Sequence, residues 1–233
     1  MCLGHAGKRF HQVLFLGAPG VGKGTYARRA APLLDMGHIS PGDLLRKVAL
    51  HDPNIRSYLD KGALVPELAV FGLVKDELES LKTRRKGVIL DGFPRSREQA
   101  VGWIERGGAS TPDLVIEFLL PEELLVQKLL GRRTCANCGD LYNVYSFNEG
   151  EYSMPAMLPQ KDGACDKCGG QLVLRSDDNV TVIKERLAQH WRQEAALIEY
   201  LDSKSDNVVK FDVKTGIAQV GELVSLIQHR LGL

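Results

Sequence analysis

The chain alternates short apolar runs with longer stretches whose apolar residues recur every three or four positions. Val13-Leu14-Phe15-Leu16 is apolar throughout and runs into Gly17, the pattern of a strand buried on both faces. Val88-Ile89-Leu90, which ends at Asp91, Leu114 to Leu120, and Val208 to Phe211 repeat the pattern. Helical spacing fills the gaps. One helix follows the Gly-rich turn after Gly17 and runs to about Leu34. A second opens at Ser40-Pro41-Gly42-Asp43, with Ser40 as N-cap, Pro41 at the first helical position and Asp43 placed to close a capping box. A third runs from Pro66 to about Thr83, with Leu68, Phe71, Leu73, Val74, Leu78 and Leu81 as its apolar face. Three more are predicted over Pro121–Arg133, Asn179–Ser203 and Ile217–Leu231. Strands separated by helices predict an α/β fold, a parallel sheet covered on both faces. Residues 133–172 break the rhythm, turning to Gly, Asn, Tyr, Pro and Cys, and an irregular stretch of that length needs a separate reason to be ordered.

Length and composition narrow the class. A chain of 233 residues has room for one sizeable core with a small inserted domain. Hydrophobic residues at 44% and charged residues at 25% exclude a disordered, collagen-like or coiled-coil chain. The net charge of +1 lacks the basic excess of a nucleic-acid or membrane-surface protein. No apolar run approaches the roughly 18 residues that cross a bilayer, and no secretory signal is visible. Five cysteines, an odd number, argue against a disulfide framework. Cys2 stands alone and is predicted to be an exposed, unpaired thiol. The first twelve residues, with His5, Lys8, Arg9 and His11 and no acid, read as a short irregular lead. Trp103 and Trp191 are expected to pack on helices, the histidines show no metal-ligand spacing, and the sequon Asn179-Val180-Thr181 is expected to be unused.

The first chemistry lies between the first strand and first helix. In Gly17-Ala18-Pro19-Gly20-Val21-Gly22-Lys23-Gly24-Thr25 the glycines let backbone N–H groups converge on one point. The helix N-terminus and Lys23 add positive charge, which together suit a polyphosphate. The usual pattern has Ser or Thr directly after the Lys; here Gly24 intervenes before Thr25.

This loop resembles that of adenylate kinases and their nucleoside-monophosphate kinase relatives, and the resemblance runs almost to the C-terminus. Ser40-Pro41-Gly42-Asp43-Leu44-Leu45-Arg46 is similar to the opening of the family's AMP-binding helix. Leu90-Asp91-Gly92-Phe93-Pro94-Arg95 with Gln99 is similar to its central strand end, Gly131-Arg132-Arg133 to the lid entry, and Arg175-Ser176-Asp177-Asp178-Asn179 with Arg186 to the lid exit. The resemblance implies a P-loop NTPase fold of three layers with two inserts. The core would be 1–39, 71–132 and 173–233, with a helical AMP-binding segment at 40–70 and a zinc-bearing lid at 133–172. It implies phosphoryl transfer from MgATP to AMP, giving two ADP, with no nucleic acid or membrane partner, in a monomer of the cytoplasm or an organelle.

It also implies roles. Lys23, Arg95, Arg132, Arg175, Arg186 and Asp91 would be catalytic, the cations neutralising the transferring group and Asp91 holding waters on Mg²⁺. Gly20, Val21, Gly22, Lys23, Gly24, Thr25, Lys128, Arg132, Tyr142 and Thr215 would bind ATP. Pro41, Arg46, Ala63, Leu64, Val65, Gly92, Arg95, Gln99, Arg175 and Arg186 would bind AMP, Gln99 reading the adenine. Three positions depart from the family's habit: Pro41 replaces a hydroxyl residue near the acceptor base, Lys128 replaces an Arg over the donor base, and Val213 replaces a Gly before the Thr215 loop. GTP as donor, or another monophosphate as acceptor, is the alternative these departures leave open. A nucleotide sensor without turnover is a further one, against which the full arginine set argues.

Cys135-x-x-Cys138 and Cys165-x-x-Cys168 give four sulfurs at spacing suited to structural Zn²⁺, with buried free thiols or a redox pair as the other readings. Some lids of the family carry zinc here, which agrees. Tyr142, Tyr145, Phe147 and Tyr152 are expected to give this insert its own small core. A nucleic-acid-binding ribbon fits poorly. Residues 133–172 carry Arg133, Lys161 and Lys167 against Asp140, Glu149, Glu151, Asp162 and Asp166, and phosphate contacts dominate nucleic-acid affinity.

Overall fold

A computed structural model describes residues 9–106 and 110–233. Cys2 and most of the basic lead lie outside them. The end of the lead does not: His11 and Gln12 already belong to the first strand.

Five strands form the central sheet: β1 (His11–Gly17), β2 (Met36–Ile39), β3 (Gly87–Asp91), β4 (Leu114–Leu119) and β10 (Val208–Asp212). Their order across the sheet is β10-β4-β1-β3-β2, and every pairing is parallel. Alternation in β1 divides the hydrophobic residues between two layers. Val13 and Phe15 face α1 (Lys23–Leu33) and α8 (Val220–Leu231), in a core that includes Tyr26, Phe118 and Phe211. Leu14 and Leu16 face the opposite core, which α4 (Glu67–Lys82) and the C-terminal half of α7 (Val180–Asp202) cover. Both faces of the middle strand are thus dry, as its unbroken apolar run predicts.

Other elements were hidden in the pattern. β2 reads Met-Gly-His-Ile, too polar and short for a buried strand, yet a Cβ at Gly37 would sit 2.3 Å from the Leu81 side chain, so glycine lets α4 close over it. Helices α2 (Pro41–Val48) and α3 (Pro53–Asp60) form the acceptor-side segment, with Asp52 capping α3 through the Asn54 N–H at 2.8 Å. A short α5 (Arg97–Val101) continues into one π turn, Gly102–Arg106.

Three expectations need correction. The buried face of α4 is Val70, Val74 and Leu78, while Leu68 is 85% exposed. Ser40 does cap α2 through the Asp43 N–H, but the Asp43 carboxylate does not complete a capping box; it is held by Arg28 and Arg46.

The third concerns 133–172, which does not pack around one core of its own. After α6 (Glu122–Gly131), strands β5 (Arg132–Cys135), β6 (Leu141–Asn143) and β9 (Leu172–Val173) make a small antiparallel sheet beside the cysteines. Tyr142 packs there with Cys135 and Cys165. The hairpin β7 (Phe147–Glu149) and β8 (Tyr152–Met154) turns the other way. Phe147 and Met154 join the main core, with Tyr145 and Tyr152 against it. The Ser153 N–H donates to the Lys214 carbonyl at 2.9 Å, tying hairpin to core.

Candidate active site and cysteine cluster

The loop between β1 and α1 is built by three glycines in left-handed conformations. At Gly17 a Cβ would meet the Phe118 carbonyl at 2.3 Å, and at Gly20 the Leu125 carbonyl at 2.9 Å. The loop curls around the Lys23 ammonium, which donates to the carbonyls of Gly17 and Ala18 at 2.6 and 2.9 Å. Burial pushes Lys23 down to about 8. Asp91 opposes that shift, while Arg95, Arg186 and Arg132 add to it. Four cations therefore converge near one carboxylate.

Each arginine is held differently. Arg132 forks onto Asp178, with Nε at 2.7 Å. Arg186 reaches Asp177 at 2.7 Å. Arg175 donates to Thr134 Oγ1 at 3.0 Å and lies 3.9 Å from Asp43. Arg95 donates through Nε to the Gly92 carbonyl at 3.0 Å and is in no ion pair among the described residues. Its side chain is exposed to both cavities. Burial, then Arg132 and Arg46, push Arg175 down to about 9; burial likewise pushes Arg186 to about 10. A guanidinium stays charged at such values. The shifts therefore register cations crowded together with too little negative charge. The available carboxylates are already committed. Burial raises Asp43 and Asp177, and the surrounding arginines outweigh it, holding both below the usual carboxylate range.

Lys23, Asp43 and the arginines line one cleft of about 240 Å³, which also takes in Gly20, Gly22, Gly24, Thr25, Lys128 and Tyr142. A second cavity of about 50 Å³ adjoins it, lined by Pro41, Ala63, Leu64, Val65 and Gln99. Arg46, Gly92, Arg95 and Arg186 border both. The Gln99 amide oxygen accepts the Arg95 N–H at 2.8 Å, which leaves its NH₂ to donate. Val21 and Thr215 line neither cavity: the Val21 N–H turns back to Ala18, and the Thr215 N–H is bound by Gln219 Oε1 at 2.9 Å. Gly216 and Ile217 take the place expected of Thr215.

Asp91 ends β3 at the floor of the cleft. A Cβ on Gly24 would lie 2.9 Å from its Oδ2, so the glycine that departs from the common loop pattern makes room for this carboxylate. With Thr25 adjacent, a carboxylate and a hydroxyl suit Mg²⁺ and its waters. His38 Nε2 stands 3.3 Å from Asp91 Oδ2. Nothing in the sequence pointed to His38, because β2 was not legible. The carboxylates that orient the arginines had one clue, the Asp177-Asp178 pair between Arg175 and Arg186.

The four cysteine sulfurs lie within 4.8 Å of one another. Cys135 and Cys168 are 3.5 Å apart, and Cys138 and Cys165 3.6 Å. Tetrahedral zinc with Zn–S of about 2.3 Å puts sulfurs about 3.8 Å apart, so the set fits that ion. Two matching turns hold it: Gly139 N–H donates to the Cys135 carbonyl and Gly169 N–H to that of Cys165, both glycines being left-handed. The sulfurs also receive N–H and O–H donors, Cys138 N–H at 3.5 Å and the Tyr142 hydroxyl at 3.6 Å, as thiolate ligands do.

Among the described residues no helix is long and apolar enough to cross a membrane. Comparison with known proteins bears directly on the cleft. The family model for adenylate kinase matches residues 15–206. An adenylate kinase of Thermodesulfovibrio yellowstonii is 42% identical over 83% of this chain and 87% of its own. Adenylate kinase 1, chloroplastic, of Arabidopsis thaliana is 39% identical over 89% and 74%. A GTP:AMP phosphotransferase of Plasmodium falciparum is 32% identical over 93% and 95%. With the Gly-rich loop, the arginine cluster and the paired cavities at the C-terminal ends of its central strands, the chain belongs to the adenylate kinase family.

Proposed function

We propose that this protein moves the γ-phosphoryl group of MgATP reversibly onto AMP, giving two ADP. The observation that carries the reading is the cation cluster beside the junction of the two cavities, with Arg95 and Arg186 bordering both and Lys23, Arg132 and Arg175 lining the larger one.

The donor triphosphate lies along the Gly20–Thr25 backbone, and the acceptor occupies the smaller cavity with its base toward Gln99 and the 63–65 backbone. Arg46 and Arg95 hold the acceptor phosphate oxygens two at a time. One acceptor oxygen attacks the γ-phosphorus in line as the bond to the β-bridging oxygen breaks; the pair of electrons leaves on ADP. Little covalent work falls to the protein, so its contribution is alignment and neutralisation of charge spread over the transferring oxygens. Lys23, Arg132, Arg175 and Arg186 supply the neutralisation. Asp91 and the Thr25 hydroxyl would hold Mg²⁺ through its waters, and the ion would supply positive charge to the donor phosphates. Segment 40–70 and the β5–β6–β9 part of 133–172 close over the core and keep water from taking the phosphoryl group; the four cysteines would hold zinc, which would stiffen that sheet and take no part in transfer. The chain acts as a monomer in the cytoplasm or an organelle; its balanced charge supports a small-molecule substrate rather than a nucleic acid.

A coupled assay of purified protein over a panel of nucleoside triphosphates and monophosphates tests this. ADP formation that requires both a triphosphate and AMP is expected. Hydrolysis of ATP at the same rate without AMP would overturn it.

A further inference from the structure

A third cavity, of about 230 Å³, opens beside the phosphate loop at Ala18. It shares Glu194 with the main cleft and no other lining residue. One wall is apolar, the chain leaving β4 from Leu119 to Pro121. The others bring two rings, Tyr152 from β8 and Trp191 from α7, and two carboxylates, Glu194 from α7 and Asp212 from the end of β10. Trp191 is 40% exposed, yet its ring is held in place. Its Nε1 donates to Glu122 Oε2 at 3.0 Å, and its centroid lies 4.6 Å from that of His190.

The carboxylates here are poorly neutralised. Asp212 has no side-chain hydrogen bond or ion pair among the described residues, and Lys214, the cation it attracts, is bound to Glu151 at 2.5 Å. Glu194 has the His190 ring at 3.0 Å. Nearby on β4, Glu117 is 6% exposed and its Oε2 has no hydrogen-bond partner among the described residues. Burial and then the Glu194 charge push this carboxyl up, and Lys210 and His190 offset that only in part. The corner therefore gathers negative charge, the opposite of the cleft beside it.

Carboxylates with open oxygens call for N–H donors, and aromatic faces attract cations. A metal ion needs its ligand atoms close together, and among the described residues only the four cysteines are so placed. A quaternary ammonium would suit the rings and give the carboxylates no donor. A primary ammonium does both, and an alkyl stem behind it covers the Leu119–Pro121 wall. Two carboxylates on separate elements suit two such heads on one stem. We propose that this cavity binds a linear alkyl diamine or polyamine, at a site separate from the nucleotide cleft.

Calorimetric titration of putrescine, cadaverine and spermidine into the zinc-loaded full chain, without nucleotide, tests this. The tightest of them is expected to bind as one equivalent with a Kd of about 1 mM or below. Pentylamine, with one charged head, and 1,5-pentanediol, with none, should each bind at least about tenfold more weakly. Trp191→Leu and Asp212→Asn, both at exposed positions, should each weaken the diamine by about tenfold. Absence of saturable binding by all three amines would overturn the proposal. So would equal binding of pentylamine or pentanediol, or an affinity that either variant retains in full.

Discussion

Arg95 is the residue whose cost and use are easiest to separate. It faces Arg46 and is in no ion pair among the described residues, so desolvation within the cleft first and then Arg46 lower its pKa. A cation in that position is a liability to the folded chain and an asset to a bound phosphate. Arg95→Ala is therefore expected to leave Tm unchanged or slightly raised, while kcat falls by roughly 10²- to 10⁵-fold, the range seen when one charge-stabilising group is removed. Denaturation and steady-state kinetics on one sample check both halves; a fall in Tm that matches the lost activity would make Arg95 structural. Lys23 makes a second prediction, through pH. Its folded value of about 8 lies below the ordinary 10.5. Between those limits the unfolded chain binds more protons, so stability rises with pH across that window. Activity moves the other way: kcat/KM for the donor, which reports the free enzyme, is expected to decline above about pH 8. A bound triphosphate restores the Lys23 proton, so kcat persists to higher pH. Identical profiles for the two would contradict the placement of Lys23 against the phosphates.

The elements show where sequence reading reached and where it stopped. β1, β3 and β4 were legible because strands buried on both faces are mostly apolar, and β10, an edge strand with Lys210 and Asp212 exposed, was legible from Val208, Val209 and Phe211. The N-cap at Ser40 was legible because it is a local hydrogen bond, whereas Asn179, which caps α7 by accepting the Val182 N–H at 3.0 Å, was read only as a helix start. β2 was not legible, since its place at the sheet edge under α4 is fixed by Leu81, distant in sequence. The hairpin β7–β8 is the clearer case. Its aromatic residues look the same whether they pack on each other or elsewhere, and only the fold shows Phe147 at 8% exposure inside the main core. Phe147→Ala is therefore expected to destabilise the whole molecule by about 3–5 kcal/mol, lowering Tm by several degrees. Calorimetry should show one cooperative transition displaced as a unit. A local loss, seen as faster exchange of hairpin amides with the main transition unmoved, would return the hairpin to the lid. By contrast the exposed Glu151–Lys214 ion pair, at 2.5 Å, is worth little because solvent screens it.

At the scale of the whole molecule the net charge of +1 hides a strong internal separation. The cleft gathers Lys23 and five arginines, at 46, 95, 132, 175 and 186, around few uncommitted carboxylates. Such a cluster destabilises the folded chain until an anion fills it, and an anion that binds only the folded form stabilises by mass action. Arg46, Arg95 and Arg186 border both cavities and Lys23, Arg132 and Arg175 line the larger one with the glycine loop, so the attraction belongs to phosphate and not to adenine. Inorganic tripolyphosphate, which has no base, is accordingly expected to raise Tm, by an amount equivalent to about 2.7 kcal/mol when present at a hundred times its dissociation constant. Adenosine, which has no phosphate, should have much less effect. Arg132→Ala and Arg175→Ala should each shrink the tripolyphosphate shift, and added salt should shrink it in all three proteins as exposed contacts are screened. If adenosine stabilised as well as tripolyphosphate, or if the two variants kept the full shift, the arginines would be serving the fold alone and the cleft would need another ligand to explain their convergence.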